Sequence, residues 1–198
     1  LSFSDWVLNG LNNLNLKHFT MNESINCKRV ELIDDEAEQF IQQFSKSQLI
    51  PVHKKELNWI IKYPWIIDKP TKNDEQIAQR YFFSSLSKSF SNNLYKIYQN
   101  EKLIAVLFFT VRDHEMKLPY AYYHADDVSS VAKAIYHIAI NNKVNSFTCF
   151  NAQLIQEFKN SKNPYIFTKE LKKNIAYPPN LNVNSNMLQD GNGDAVFC

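Results

Sequence analysis

The chain contains three glycines, Gly10, Gly191 and Gly193, and none between Asn12 and Asp190. Glycine lets a backbone enter left-handed turns and approach a phosphate closely. A GxxxxGK[ST] phosphate loop and a dinucleotide-binding GxGxxG turn both need several glycines in the interior. Both are excluded. The corners of the fold must therefore be made by Asn, Asp, Ser and Pro.

The length of 198 residues suits one domain, or one domain with an extension. Apolar residues make up 44% and aromatics 14%, enough for a substantial core. A net charge of +2, with no Lys/Arg run longer than two, argues against a nucleic-acid partner that lives on phosphate contacts. The longest apolar run, Leu103 to Val111, is broken only by Thr110. It falls well short of the roughly 20 residues of a membrane-spanning helix, so no membrane partner is expected. The N-terminus lacks a signal-peptide pattern. Cys27, Cys149 and Cys198 are scattered and form no Cys-x-x-Cys pair, so neither a zinc knuckle nor a redox motif is expected. These features fit free thiols in a cytoplasmic protein. The chain begins with Leu1, which fits a piece of something longer. Residues 1–26 are expected to be an N-terminal extension or remnant, and 27–198 a single domain.

Hydrophobic periodicity predicts the elements. Leu1 to Phe19 reads as an Asn-rich amphipathic helix, and "CKRVELI" from Cys27 as a strand. Asp35 then caps a helix carrying Ala37, Phe40, Ile41 and Phe44, with Glu38 at capping-box spacing. "KKELNWIIKYPW" is a second helix, closed by Pro64. "RYFFSSLSKSF" fits strand or helix. From Leu94 three strands follow as an antiparallel meander, with turns at Asn100-Glu101 and Asp113-His114-Glu115. "DDVSSVAKAIYHIAINNK" is the strongest helix, with Val128, Val131, Ala132, Ile135, Ile138 and Ala139 on one face. "VNSFTCFNA" reads as a strand, "AQLIQEFKN" as a helix, "YIFTKELKKNIAY" as a strand, and "DAVFC" as a last strand after the turn-rich "QDGNGD".

This order of elements from Cys27 to Cys198, ending in "LQDGNGDAVF", resembles the GNAT superfamily of acyl-CoA-dependent N-acyltransferases. The resemblance implies an α/β (α+β) fold: a mixed central sheet of six to seven strands flanked by helices. In that family the third meander strand ends in a splayed bulge, where the acyl-CoA amides pair with exposed backbone. That strand is here Leu118 to Ala125. The next turn usually reads Gln/Arg-x-x-Gly-x-Gly/Ala and holds the pyrophosphate; here it is "HADDVSSVA", without glycine and with two aspartates. Asp126 and Asp127 serve either as helix caps or as part of a modified phosphate site.

By resemblance the cofactor is acetyl-CoA or another acyl-CoA, bound by Tyr122, Tyr123, Asp127, Val128, Ser129 and Asn151, with no metal. His124 or Glu31 would take the proton of a small-molecule or peptide amine. The family's thiolate-protonating tyrosine falls near Phe158, leaving Tyr165 as the substitute if its loop folds back. His124 carries an imidazole, the side chain most often used as a general base, but equally reads as an exposed strand-end residue. Tyr120, Tyr122 and Tyr123 fit either an acceptor pocket or core packing. Glu31 also reads as an outward strand position. Asp113, His114 and Glu115 carry metal-capable groups but read as a solvated turn. Trp59, Tyr63 and Trp65 form an acceptor-side wall or a packed interface. Two functions follow. One is transfer of an acyl group to an amine. The alternative is an inactive GNAT-like module for partner binding or homodimer formation, favoured by the missing glycines, the aspartate pair and Phe158.

Overall fold

A computed structural model describes residues 24–64, 66–68, 71–72, 86–161, 163–165, 167–173 and 188–192. The expected helix in Leu1–Phe19, the strand "DAVFC", Trp65 and Cys198 lie outside these residues. The elements are β1 (Ile25–Val30), α1 (Asp35–Gln42), α2 (Lys54–Lys62), β2 (Ile67–Asp68), β3 (Leu86–Ser87), β4 (Phe90–Gln99), β5 (Lys102–Arg112), β6 (Glu115–Tyr123), α3 (Val128–Asn141), β7 (Ser146–Thr148) and α4 (Ala152–Asn160). The fold is mixed α+β. The main sheet is open, in the order β1-β4-β5-β6-β7, and β2-β3 form a small parallel pair. Among the described residues the main sheet has five strands; the six to seven expected include "DAVFC", which lies outside them. No strand forms at Tyr165 or over 167–173, where "YIFTKELKKNIAY" predicts one.

β1, β4, β5 and β6 are antiparallel neighbours, whereas β6 and β7 are parallel and joined through α3. The apolar run Leu103–Val111 becomes the central part of β5. A strand covered on both faces needs apolar residues at consecutive positions rather than alternate ones. On one face Ile97, Leu107, Phe109, Ala121 and Tyr123 pack under Val131, Ile135 and Ile138 of α3 and Leu154 of α4. On the other, Leu94, Val106, Phe108, Tyr120 and Tyr122 pack against Ala37, Phe40 and Ile41 of α1 and Leu57 of α2. No helix among the described residues is long and apolar enough to cross a membrane.

Both meander turns form without glycine. Asn100 and Glu101 have φ of 48° and 67°, and Asp113 and His114 have 49° and 68°. These are the left-handed pairs that two-residue hairpins demand. Asn and Asp lead each turn because they tolerate that region best. The Asp113 carboxylate also accepts from the Ser89 N–H and the Ser87 hydroxyl, which ties β3 to the hairpin.

The N-cap of α1 is Asp34, one residue before the expected Asp35. Asp34 Oδ1 accepts from Ala37 N–H at 2.9 Å, and Asp35 instead reaches Lys54. The reason is Lys96. This β4 lysine is 3% exposed on the α1 face and needs counter-charges. Its Nζ donates to Asp34 Oδ2 at 2.6 Å and Glu36 Oε2 at 2.7 Å, and Tyr98 donates to the same Glu36 oxygen. Burial is the largest single influence and works against charge on Asp34 and Lys96, but their hydrogen bonds and opposite charges together outweigh it. Asp34 stays below its ordinary value and Lys96 above. Glu36 is lowered first by Lys96 and then by Tyr98.

The two carboxylates are about half exposed, and the lysine is not. Removing the lysine leaves charges that water can reach; removing the carboxylates strands a buried cation. The double variant Asp34→Asn/Glu36→Gln keeps the cap and should cost about 3 kcal/mol. Lys96→Met should cost about 1 kcal/mol, because little buried charge is left unpaired. Urea unfolding measures both, and a larger loss for Lys96→Met would refute this ordering. The lowered carboxylates also set a pH dependence. Their stabilisation is present above about pH 4, the unfolded value, and is lost as pH falls through the lower folded values. In the double variant, urea midpoints should lose part of this acid sensitivity.

Candidate functional site

The site is built by an irregularity in β6. Thr110 pairs with Lys117 and Phe108 with Tyr120, so Phe109 alone faces Leu118 and Pro119. One extra residue in a strand is a β-bulge, and proline fits there because it has no N–H to give. The bulge shifts the face alternation. Met116 and Leu118 pack towards α3, whereas Tyr120 and Tyr122 pack towards α1. Pairing with β7 covers only Glu115, Met116 and Lys117, and it ends where the bulge begins. Beyond it β6 and β7 are no longer paired, and the strand expected over "VNSFTCFNA" is limited to Ser146–Thr148.

A turn at residues 189–192 takes up the β6 edge beyond that pairing. The Gln189 carboxamide accepts from Ala121 N–H at 3.2 Å and donates to Ala121 C=O at 2.8 Å. Gly191 N–H donates to Pro119 C=O at 2.8 Å, and the Tyr120 hydroxyl donates to Gly191 C=O at 2.7 Å. Asn192 closes the turn, its N–H donating to Gln189 C=O while its Oδ1 accepts from Gln189 N–H. Lys173 Nζ meets Asp190 Oδ1 at 2.5 Å and lies 5.6 Å from the centre of the Phe150 ring. A Cβ on Gly191 would stand 2.3 Å from the Tyr120 ring, which is fixed by burial. Burial first, then the charge of Asp190, pushes the Tyr120 hydroxyl up to about 12, so it remains a donor.

At the end of β6, Tyr123 donates to Asn151 Oδ1 at 2.6 Å, and the same oxygen caps α4 by accepting from Leu154 N–H at 3.1 Å. Tyr123 and Asn151, both expected at the cofactor, are thus brought together. Burial raises the Tyr123 hydroxyl. Tyr122 is buried, and its hydroxyl has no hydrogen-bond partner among the described residues. Burial raises it too, and the Gln48 side chain opposes this without reaching a normal hydrogen bond.

The turn into α3 differs from the capping reading of Asp127. Asp127 occupies the N-cap position with φ −94° and ψ −1°, and its carboxylate makes no capping bond. A capping side chain needs extended backbone to reach back. Here a 3₁₀ turn over Ala125–Asp127 has already bent the chain, and the Val128 N–H donates to Ala125 C=O. Val128 packs on the α3-side core, and Ser129 follows half-buried in the first turn.

The expected proton-transfer residues do not converge. His124 is exposed, its ring 5.6 Å and 5.1 Å from those of Phe40 and Phe44. Glu31 is exposed just after β1. Val30 shares a row with Leu94, Phe108 and Tyr120, whereas Tyr123 shares one with Ala105, Ile97 and Cys27. Glu31 and His124 are therefore three strand spacings apart, about 14 Å, with further separation along the strands. Tyr165 does fold back, but its hydroxyl donates to Val144 C=O at 3.4 Å, at the Glu115 end of the β6–β7 pair. From Glu115 to His124 is about 30 Å of extended chain. Burial holds Tyr165 at about 12 and the Cys149 thiol at about 12, so Cys149 is a poor nucleophile at neutral pH.

Trp59 and Tyr63 form a tilted ring pair, each about half exposed. Among the described residues no group of three His, Cys, Asp or Glu is placed to hold a metal ion. A depression of about 490 Å³ lined by Ser24, Asn26, Tyr98, Asn100 and Glu101 lies at the β4–β5 turn, away from these residues. Sequence reasoning missed Gln189, Asp190 and Lys173 as a unit. The available signals were Pro119 inside a strand, which marks a bulge, and the return of glycine at Gly191. Comparison of the chain with protein-family models, with curated proteins and with solved structures finds no match.

Gly191→Ala should destabilise the protein by about 1–3 kcal/mol through overpacking against Tyr120. Tyr120→Phe should cost about 1 kcal/mol for the single hydroxyl bond. Because Tyr120→Phe keeps the ring, it should not relieve Gly191→Ala; equal, negligible effects in denaturant unfolding would show that the turn is not seated here.

Proposed function

We propose that the chain is a GNAT-like acyltransferase-superfamily domain that works without acyl-CoA, as a catalytically inactive partner-binding module. One observation carries this reading. The β6 backbone groups at Pro119 and Ala121, which the family resemblance assigns to the acyl-CoA amides, are hydrogen-bonded to Gln189 and Gly191 of the same chain. Three further features support it. The turn into α3 has no glycine and carries Asp126 and Asp127, which oppose a pyrophosphate. His124, Glu31 and Tyr165 stand too far apart to share one reacting centre. Phe158 packs between Tyr136 and Phe147 and has no proton to give.

The enzymatic reading, transfer of an acyl group from acetyl-CoA or another acyl-CoA to an amine, is favoured by the β6 bulge and the parallel β6–β7 pair. An exposed strand backbone of that kind could polarise a thioester carbonyl. It would require the Gln189 turn to leave.

The test is thermal unfolding of the whole chain with and without 1 mM acetyl-CoA. A ligand present at about a hundred times its dissociation constant adds about 2.7 kcal/mol, or roughly 5–10 °C for a domain of this size. No rise is expected. A clear rise would overturn the inactive reading in favour of the enzyme.

A further inference from the structure

We infer that the β6 edge at Pro119–Ala121, with Tyr120 and Lys173, reads a polypeptide turn of sequence Gln-Asp-Gly-Asn, and that residues 189–192 occupy it as an internal copy of the partner's motif. This deepens the partner-binding reading above and rests on it.

Each position of the turn meets a different chemical requirement. Glutamine is needed because its carboxamide offers one acceptor and one donor in a plane, matching Ala121 N–H and C=O, as a residue of a paired strand would. Asparagine has the same group on a shorter stem and would not reach. The acidic residue meets Lys173, whose ammonium group is also over the Phe150 ring. Glycine is required because any Cβ would collide with the Tyr120 ring, while its C=O takes the Tyr120 hydroxyl. Asparagine folds back on Gln189 N–H and reaches Ile50 C=O at 3.2 Å with its Nδ2. Four consecutive residues are thus selected by four separate contacts, more than is needed to close a loop. The contacts are made by side chains and isolated backbone groups rather than by a continuous ladder, so a chain offering the same turn can replace the internal one. A polypeptide brings no phosphates towards Asp126 and Asp127, which sets it apart from a nucleotide-bearing ligand in the same groove.

The test uses the full chain carrying Gln189→Ala and Asp190→Asn, which removes the Ala121 and Lys173 contacts of the internal turn and weakens its hold on the site, and the fluorescently labelled peptide NMLQDGNG, the chain's own residues 186–193. Fluorescence anisotropy should show the variant binding the peptide at least tenfold more tightly than the wild-type chain, where the internal turn competes. Replacing the peptide's glycine by alanine, or its glutamine by alanine, should each weaken binding at least tenfold. Equal binding of the three peptides, or none at millimolar concentration, overturns the inference. Circular dichroism checks the fold. Should that variant not fold, Lys173→Glu replaces it; this protein should prefer NMLQKGNG to NMLQDGNG, and the absence of such a reversal is equally decisive against the proposal. Peptide failure leaves the inactive reading standing, whereas acetyl-CoA binding by the wild-type chain removes that reading without touching the peptide result.

Discussion

A buried strand edge must find partners for its backbone, because an unpaired N–H or C=O shut away from water costs as much as a lost hydrogen bond. The rest of this molecule is arranged around that requirement at one place. The bulge at Leu118–Pro119 ends pairing between β6 and β7, and the edge beyond it would be an orphan without Gln189 and Gly191. The bulge also decides which tyrosine goes where. Without the extra residue, Tyr120 and Tyr122 would face α3 and Tyr123 would face α1, and the Tyr123–Asn151 bond could not form. The α4 cap, the seat of the turn and the division of aromatic residues between the two cores thus share one origin.

The β1–β4 side of the sheet solves a different problem. Lys96 lies among apolar neighbours on β4, and the start of α1 is drawn to it by two carboxylates. Desolvating a cation in this way stabilises little in itself, and often nothing. What it supplies is position: α1 can dock with only one turn against Lys96. Phe40 and Phe44 then lie over His124 at the far end of β6. A charge cluster near β1 and an aromatic cluster near β6 are therefore linked through one short helix.

Much of the architecture was legible in the sequence because periodicity and turn chemistry act locally. The meander, its two glycine-free turns, α3 and α4 all follow from residues within a few positions of one another. The α4 helix spans Ala152–Asn160, as "AQLIQEFKN" reads. What was not legible depends on distant partners. Asp34 displaced Asp35 as the cap because Lys96, far along the chain, needed its charge. Asp127 lost a capping role because the chain had already turned before reaching it. The expected strand at "VNSFTCFNA" stops where the bulge in a different strand begins. The candidate site was least legible of all, since its backbone groups belong to Pro119 and Ala121 and its side chains to residues about seventy positions later.

The contact between Gly191 and Tyr120 has a historical consequence as well as a structural one. A ring and a missing side chain occupy the same volume, so neither position can be altered by small independent steps. A larger residue at position 191 is admissible only after position 120 has shrunk. Shrinking position 120 first opens a hole in the core beside Phe108 and gives up the hydroxyl. The intermediate chain is worse by either route. In descendants of this sequence the two positions should therefore change as a pair, with glycine opposite an aromatic ring or a side chain opposite a small residue, so that the residue at one position reports what stands at the other.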